Sequence, residues 1–70
     1  MKLKVNGKIK ELDLDTNERD LESVIKQLGH HPRLVVVEFN GTILPPKDWT
    51  QQRVKDGDNL EIVTIVGGGS

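Results

Sequence analysis

The residues best suited to chemistry lie at the carboxyl end of the chain, which closes with three glycines and a serine, residues 67–70. Glycine has no Cβ, so a glycine run costs more backbone entropy to order than any other sequence. The run follows an apolar segment, residues 60–66, that is typical of a strand. One interpretation is a terminus without function, which is either frayed or a Gly-Ser extension added in cloning. The other is a slender, flexible end that enters a narrow site of a partner enzyme. The tail alone leaves both interpretations open.

Other polar residues could be taken for a metal or acid–base site. His30 and His31 are adjacent, so their side chains do not converge on one ion, and we interpret them as surface histidines near a helix end. Asp56 and Asp58 flank a glycine and predict a solvated turn. Trp49 suits an interface, but in so small a protein we expect it to pack in the core. The sequence therefore predicts no catalytic residue and no metal site.

Length and composition exclude several classes of function. Seventy residues form one small domain, which buries only about 60% of its unfolded surface and leaves no room for a deep catalytic cleft. The chain has no cysteine and a net charge of −1, which argues against disulfides, a thiolate site and binding to nucleic acid. No apolar stretch approaches the roughly 20 residues of a membrane span, and the amino terminus lacks a signal-peptide core. We expect a cytoplasmic protein that is monomeric when free.

The amino-terminal part predicts a β-hairpin. Leu3 and Val5 alternate with lysines, as in a half-buried strand. Asn6-Gly7 then predicts a type I′ turn, because both central residues of that turn need positive φ. Residues 8–15 are predicted as the returning strand, and the parity of Ile9 indicates a bulge or an edge position.

A single strong helix follows the hairpin. Thr16 or Asn17 is the predicted cap, Gly29 is the predicted end, and the helix is expected to run for about 12 residues. One apolar stripe has the spacing of a core-facing helix and consists of Leu21, Val24, Ile25 and Leu28.

The remaining segments complete an α+β order. Residues 34–39 are apolar on both faces, as expected in the middle of a sheet. Asn40-Gly41 predicts a second hairpin turn, Pro46 begins a helical turn, and residues 60–66 form the last strand. We therefore expect a mixed sheet of four to five strands with one main helix on one face. If the first and last strands pair in parallel at the centre, the fold is the β-grasp, or ubiquitin-like, fold.

The second half of the chain resembles the sulfur carriers of thiamine biosynthesis, the ThiS family. Residues 1–7 fit the family's first strand and turn, and with the helix the resemblance covers essentially the whole chain. Each piece is a common turn or strand, but the series at these spacings is specific. The residues that carry it are Val36-Val37-Glu38-Phe39-Asn40-Gly41, Ile43-Leu44-Pro45, Trp49, Val54, Asp56-Gly57-Asp58 and Ile65-Val66-Gly67-Gly68-Gly69.

The resemblance implies a protein co-substrate that is not itself an enzyme and binds no cofactor. An E1-like, ThiF-type enzyme would use ATP to adenylate the terminal carboxylate of Gly69, with Gly68 and Gly67 giving access to its site. A sulfur donor, often a cysteine desulfurase, would convert the acyl adenylate into a thiocarboxylate. The sulfur would pass to a ThiG-type thiazole synthase. The domain would comprise residues 1–66, and residues 67–70 would be a flexible tail.

Ser70 departs from the family pattern, because it lies beyond the expected terminal glycine. It is removed before activation, tolerated by the activating enzyme, or added in cloning. We expect Gly69 to carry the thiocarboxylate, so a chain that ends at Gly69 should be activated and the full chain poorly.

The partner surface is expected on the sheet face that the helix leaves open. Its predicted residues are Val36, Ile43, Ile62 and Thr64. On this assignment, Ile62→Glu should abolish binding to the activating enzyme without unfolding the protein.

Three other functions share this pattern. A MoaD-type subunit of molybdopterin synthase has the same fold and tail but a different sulfur acceptor. A ubiquitin-like modifier would form protein conjugates through Gly69. A plain interaction domain would keep its function after removal of residues 67–70.

Overall fold

The computed structural model of the protein describes residues 1–65. They form a five-stranded sheet in the order β2-β1-β5-β3-β4, with β1 and β5 parallel and the other neighbours antiparallel. The predicted β-grasp fold is confirmed. The strands are β1 Lys2–Val5, β2 Lys8–Glu11, β3 Val35–Phe39, β4 Thr42–Leu44 and β5 Asn59–Thr64. The helix is α1 Leu21–Gln27, and single 3₁₀ turns span Thr16–Glu18, Pro32–Leu34 and Pro46–Asp48.

Both predicted Asn-Gly turns are type I′ in their backbone angles. Asn6 and Gly7 have φ of 50° and 83°, and Asn40 and Gly41 have φ of 49° and 89°. Only a turn with positive φ at both central residues matches the twist of the strands that it joins. The two turns therefore set the β1–β2 and β3–β4 hairpins.

The returning strand of the first hairpin is shorter than predicted. β2 ends at Glu11, whereas the sequence predicted a strand through residue 15. Ile9 lies on this edge strand, opposite Lys4 in an uninterrupted register, so the edge position is confirmed and no bulge is present at Ile9. Leu14 nevertheless is buried, as a loop residue that covers the core.

The helix is also shorter than predicted and starts later. α1 has seven residues, and its cap is Asp20 rather than Thr16 or Asn17. The carboxylate of Asp20 accepts hydrogen bonds from the Ser23 backbone N–H at 3.1 Å and the Ser23 hydroxyl at 2.8 Å. Gly29, with φ of 92°, ends the helix as predicted.

One apolar core lies between α1 and the sheet. Trp49 is 1% exposed, so its predicted place in the core is confirmed, and its indole N–H donates to the Leu44 carbonyl at 2.9 Å. The buried apolar residues are Leu3, Val5, Leu14, Leu21, Val24, Ile25, Val35, Val37, Trp49, Val54, Leu60 and Ile62.

No helix within residues 1–65 is long and apolar enough to cross a bilayer.

Candidate functional site

The last strand occupies the middle of the sheet and leads directly towards the carboxyl end of the chain. β5 lies between β1 and β3, and Ile65, just after the strand, still donates its N–H to the Leu34 carbonyl at 2.6 Å. The residues predicted to carry the chemistry come next in the chain. Gly67, Gly68, Gly69 and Ser70 lie outside the described residues, so the predictions about them remain predictions.

Successive residues of β5 point to opposite faces of the sheet. Leu60 and Ile62 face α1 and are 0% and 5% exposed, so Ile62 belongs to the core. The prediction that Ile62 lies on the open face is wrong. Thr64 falls in the same row at the exposed end of the strand, so its assignment to the open face is wrong as well.

The face turned away from α1 carries an apolar patch. Val36 is 39% exposed, Ile43 is 65% exposed, and Val63 is 63% exposed. Val36 lies directly opposite Val63 across the β3–β5 ladder. Ile43 lies on the same face of β4, directly opposite Glu38. We call these three residues the open-face patch. The predicted positions of Val36 and Ile43 on this face are confirmed, while their role in binding remains a prediction.

Val63 was missed by the sequence analysis, although a signal was present. Alternate residues of this strand form two rows, one on each face of the sheet, and only the row of Val63 contains a charged residue, Glu61. A charged residue almost never becomes fully buried without a partner. The row of Glu61 must therefore face solvent, and Val63 shares that row.

Two carboxylates border the open-face patch. Glu38 on β3 lies directly opposite Glu61 on β5, on the same face as Val36 and Val63. Like charges in directly opposed positions of a sheet destabilise it. A cationic group on a partner would relieve this repulsion, so the patch favours a partner that combines an apolar surface with a positive charge.

The asparagines of the two hairpin turns both bind β5. The Asn6 side chain accepts from the Ile62 N–H at 2.7 Å and donates to the Ile62 carbonyl at 3.0 Å. Asn40 accepts from the Asn59 N–H at 2.8 Å through its side chain. The strand that leads to the tail is thus fixed by side chains at its beginning and near its end.

The Asp-Gly-Asp turn is partly buried, which corrects the prediction of a solvated turn. Asp58 is 6% exposed, and its carboxylate accepts from the Lys55 N–H at 2.9 Å and from the Asn40 side chain at 3.0 Å. Asp56 stays exposed and accepts from the Lys2 N–H at 2.7 Å. Both carboxylates therefore join segments that are distant in sequence, a structural role.

The two histidines are not brought together with other ligands. His30 is half-buried and His31 is exposed, and the Nδ1 atom of His31 accepts from the Arg33 N–H at 3.2 Å. Within the described part of the chain, no group of three His, Cys, Asp or Glu residues is placed to hold a metal ion.

Comparison with known proteins decides the family. The model of the ThiS family matches residues 3–69, nearly the whole chain. The chain belongs to the ThiS family. The match includes the glycine run that follows the described residues, so the ThiS pattern spans both the folded body and the predicted reactive end.

Solved structures support the ThiS assignment. A crystal structure of the thiamine biosynthesis protein ThiS from Geobacter metallireducens is 33% identical, covers 99% of this chain and 100% of its own, and has a TM-score of 0.80. A solution NMR structure of a thiamine biosynthesis protein from the same organism is 32% identical, covers 100% of this chain and 90% of its own, and has a TM-score of 0.79.

Two sequence relatives extend the comparison. A thiazole synthase of Paramagnetospirillum magneticum is 40% identical over all 70 residues, but the chain spans only 21% of that protein's length. The uncharacterized protein ycf40 of Trieres chinensis is 37% identical over 54 residues, which are 77% of this chain and 74% of the relative. A segment similar to this ThiS-family chain thus also occurs within a longer protein.

Proposed function

We propose that this protein is a sulfur carrier of thiamine biosynthesis. The observation that carries the proposal is the match of residues 3–69 to the ThiS family, which includes the glycine run. The likeness to a solved ThiS structure along 99% of the chain supports it, since a thiamine biosynthesis protein has the same body at 33% identity.

The chemistry takes place at the terminal carboxylate of Gly69. A carboxylate oxygen attacks the α-phosphate of ATP in an adenylating enzyme, and pyrophosphate leaves. Sulfide then attacks the acyl carbon of this mixed anhydride, and AMP leaves, so a thiocarboxylate replaces the carboxylate. Such two-step activation divides a difficult substitution into two easier ones. Gly68 and Gly67 have no side chains that would obstruct a narrow channel.

The open-face patch is the proposed contact with the adenylating enzyme. Its three apolar side chains lie on β3, β4 and β5, and β5 is the strand that leads to the tail. A partner that covers Val63 is therefore close to the carboxyl end of β5. Glu38 and Glu61 favour a partner surface that carries Lys or Arg beside an apolar area.

Thiazole synthase is the proposed sulfur acceptor. A relative with that name contains a segment 40% identical to this whole chain. A carrier segment within the synthase polypeptide supports an acceptor that receives sulfur from this type of domain, because covalent linkage keeps two partners at high effective concentration. The same observation favours the thiamine carrier over a MoaD-type carrier.

Intact mass tests the proposal directly. The chain that ends at Gly69 is incubated with ATP, a ThiF-type adenylating enzyme and sulfide. A gain of about 16 Da is expected, because sulfur replaces one oxygen of the activated acyl group. A matched chain that ends at Gly67 should show no gain. If no ThiF-type enzyme adenylates the chain that ends at Gly69, the proposed function is contradicted.

The full chain, which ends at Ser70, is the second comparison. We expect it to be adenylated poorly until the serine is removed, because its carboxylate lies one residue further out and is attached to a side-chain-bearing residue. Equal adenylation of the full chain and the chain ending at Gly69 would rule out a requirement for trimming and leave the carrier function intact.

A further inference from the structure

We propose that Asn6 is a positioning residue for the carboxyl-terminal tail. The inference rests on the proposed function, since it concerns how the tail is presented to the adenylating enzyme. Asn6 lies outside the open-face patch, in the turn between β1 and β2, yet its side chain binds the backbone of Ile62 with two hydrogen bonds. These are the contacts that assign it this role.

The Asn6 side chain continues the β1–β5 ladder after β1 has ended. The parallel pairing includes Lys4 with Asn59 and Val5 with Leu60, and the Asn6 backbone N–H still donates to the Leu60 carbonyl at 2.9 Å. The chain then turns away at Gly7. The side-chain amide of Asn6 takes the place of the next peptide group and pairs both the N–H and the carbonyl of Ile62.

Beyond Ile62, the described part of β5 is held mainly from the side of β3. The alternation of an antiparallel ladder directs the N–H groups of Val63 and Ile65 towards β3, and that of Ile65 reaches the Leu34 carbonyl. Within residues 1–65, Asn6 is therefore the last residue of β1 and its turn that forms a hydrogen bond with the strand. A strand held on both sides keeps one direction, whereas a strand held on one side can pivot about its ladder.

Asn40 provides a matched comparison within the same chain. It occupies the same position of a type I′ Asn-Gly turn, with φ of 49° against 50° for Asn6. Its side chain also binds β5, but at Asn59, where the strand begins. The two asparagines thus hold different ends of β5, and Asn40 also donates to the Asp58 carboxylate at 3.0 Å.

The test compares Asn6→Gly with Asn40→Gly in the chain that ends at Gly69. Glycine adopts positive φ without strain, so each variant keeps its turn and loses its side-chain amide. Pyrophosphate release by the adenylating enzyme gives kcat and KM at a temperature where both variants are folded. Asn6→Gly should lower kcat on the order of tenfold, because small misplacements of a reacting group are costly, while Asn40→Gly changes kcat by less than about twofold.

Two readouts separate positioning from general stability. KM should stay unchanged in Asn6→Gly, because the open-face patch that docks is intact. Hydrogen exchange should be about fivefold faster at the Ile62 amide in Asn6→Gly and at the Asn59 amide in Asn40→Gly, since each loses one hydrogen bond. If either glycine variant does not fold, Asn6→Asp and Asn40→Asp, which keep the acceptor oxygen, replace the pair.

The outcomes distinguish the inference from the proposed function. An equal loss of kcat in the two variants overturns the positioning role, and so does an unchanged kcat in Asn6→Gly with faster exchange at Ile62. A wild-type chain that no adenylating enzyme activates overturns the proposed function, and the role of Asn6 in it falls as well.

Discussion

The two faces of the sheet carry the same kinds of apolar residues but differ in how far those residues are buried. Leu60 and Ile62 face α1 and are at most 5% exposed, whereas Val36 and Val63 face away and are 39% and 63% exposed. Apolar side chains of similar size therefore lie on both sides of one layer. What distinguishes the faces is the cover that α1 provides.

The uncovered face carries a cost that the covered face does not. Each exposed apolar side chain forgoes the stabilisation of burial, about 1.5–3 kcal/mol for a fully buried Val or Ile. In the proposed function, the adenylating enzyme would cover these residues. The covered face supplies stability, and the open face is available for binding.

Neighbouring residues of β5 should show the largest difference between the faces. Ile62→Ala should lower the free energy of unfolding by about 3 kcal/mol, because it leaves a cavity in the core, whereas Val63→Ala should change it by less than about 0.5 kcal/mol. Urea denaturation measures both. Equal losses would show that the faces are not distinct. For the same reason Ile62→Glu, which places a charge in the core, should now unfold the protein.

Binding should reverse this order. Val63→Gln should weaken binding of the adenylating enzyme by about tenfold, since apolar anchors near the centre of an interface contribute most to affinity. Isothermal titration calorimetry measures the change. Ile9→Gln is the matched control, because Ile9 is 67% exposed on the same face but on the edge strand β2. A similar loss for Ile9→Gln would extend the binding surface across the whole face and remove the distinction of the open-face patch.

The sequence predicted the fold well and the faces of β5 poorly, for one physical reason. Asn-Gly turns and a helical stripe are local signals, so both hairpins and the helix could be recognised. In contrast, residues 60–66 are almost entirely apolar, and alternation then carries little information. Glu61 was the one residue that could have assigned the rows. Because Glu61 was not used to assign the rows, Ile62 was predicted on the wrong face and Val63 was not predicted at all.

The start of the helix shows a second limit of local signals. Several polar residues before Leu21 can cap a helix, namely Asp15, Thr16, Asn17 and Asp20. Tertiary contacts selected Asp20. Leu21 donates its N–H to the Gln52 carbonyl, and the backbones of Asp20 and Arg53 form an isolated antiparallel β-bridge. The predicted chemistry of Gly69 depended on family resemblance, since no local pattern distinguishes a reactive glycine tail from a frayed one.

Weakening the cap of α1 should affect the covered face alone. Asp20→Ala should cost about 1 kcal/mol of stability, because the first turn of α1 loses its side-chain acceptor. Hydrogen exchange should then quicken in α1 and leave the β3–β4 hairpin unchanged. Faster exchange throughout the hairpin would show that α1 also supports the open face.

The charge of Asp20 makes this contribution depend on pH. Partial burial raises the pKa of Asp20, but the hydrogen bonds from Ser23 and the positive charge of Arg53 outweigh it and hold the pKa below its usual range. Because the folded pKa is depressed, the stabilisation is present above the unfolded pKa and is lost as pH falls through the folded value. Asp20→Asn keeps a capping oxygen and should flatten this acid-side slope. If the slope of stability against pH is unchanged in Asp20→Asn, other carboxylates cause the loss of stability in acid.

The smallest expected effect concerns the paired carboxylates of the open face. Glu61→Gln should raise the free energy of unfolding by about 0.5 kcal/mol, because Glu61 lies directly opposite Glu38. Glu38→Gln should give a similar gain in stability. The double variant should gain little more, because each single substitution already removes the same repulsion. The same substitutions should weaken binding of the adenylating enzyme and reduce its dependence on salt. A gain in stability without a loss of binding would mean that the repulsion serves no partner, and that only the apolar side chains distinguish this face.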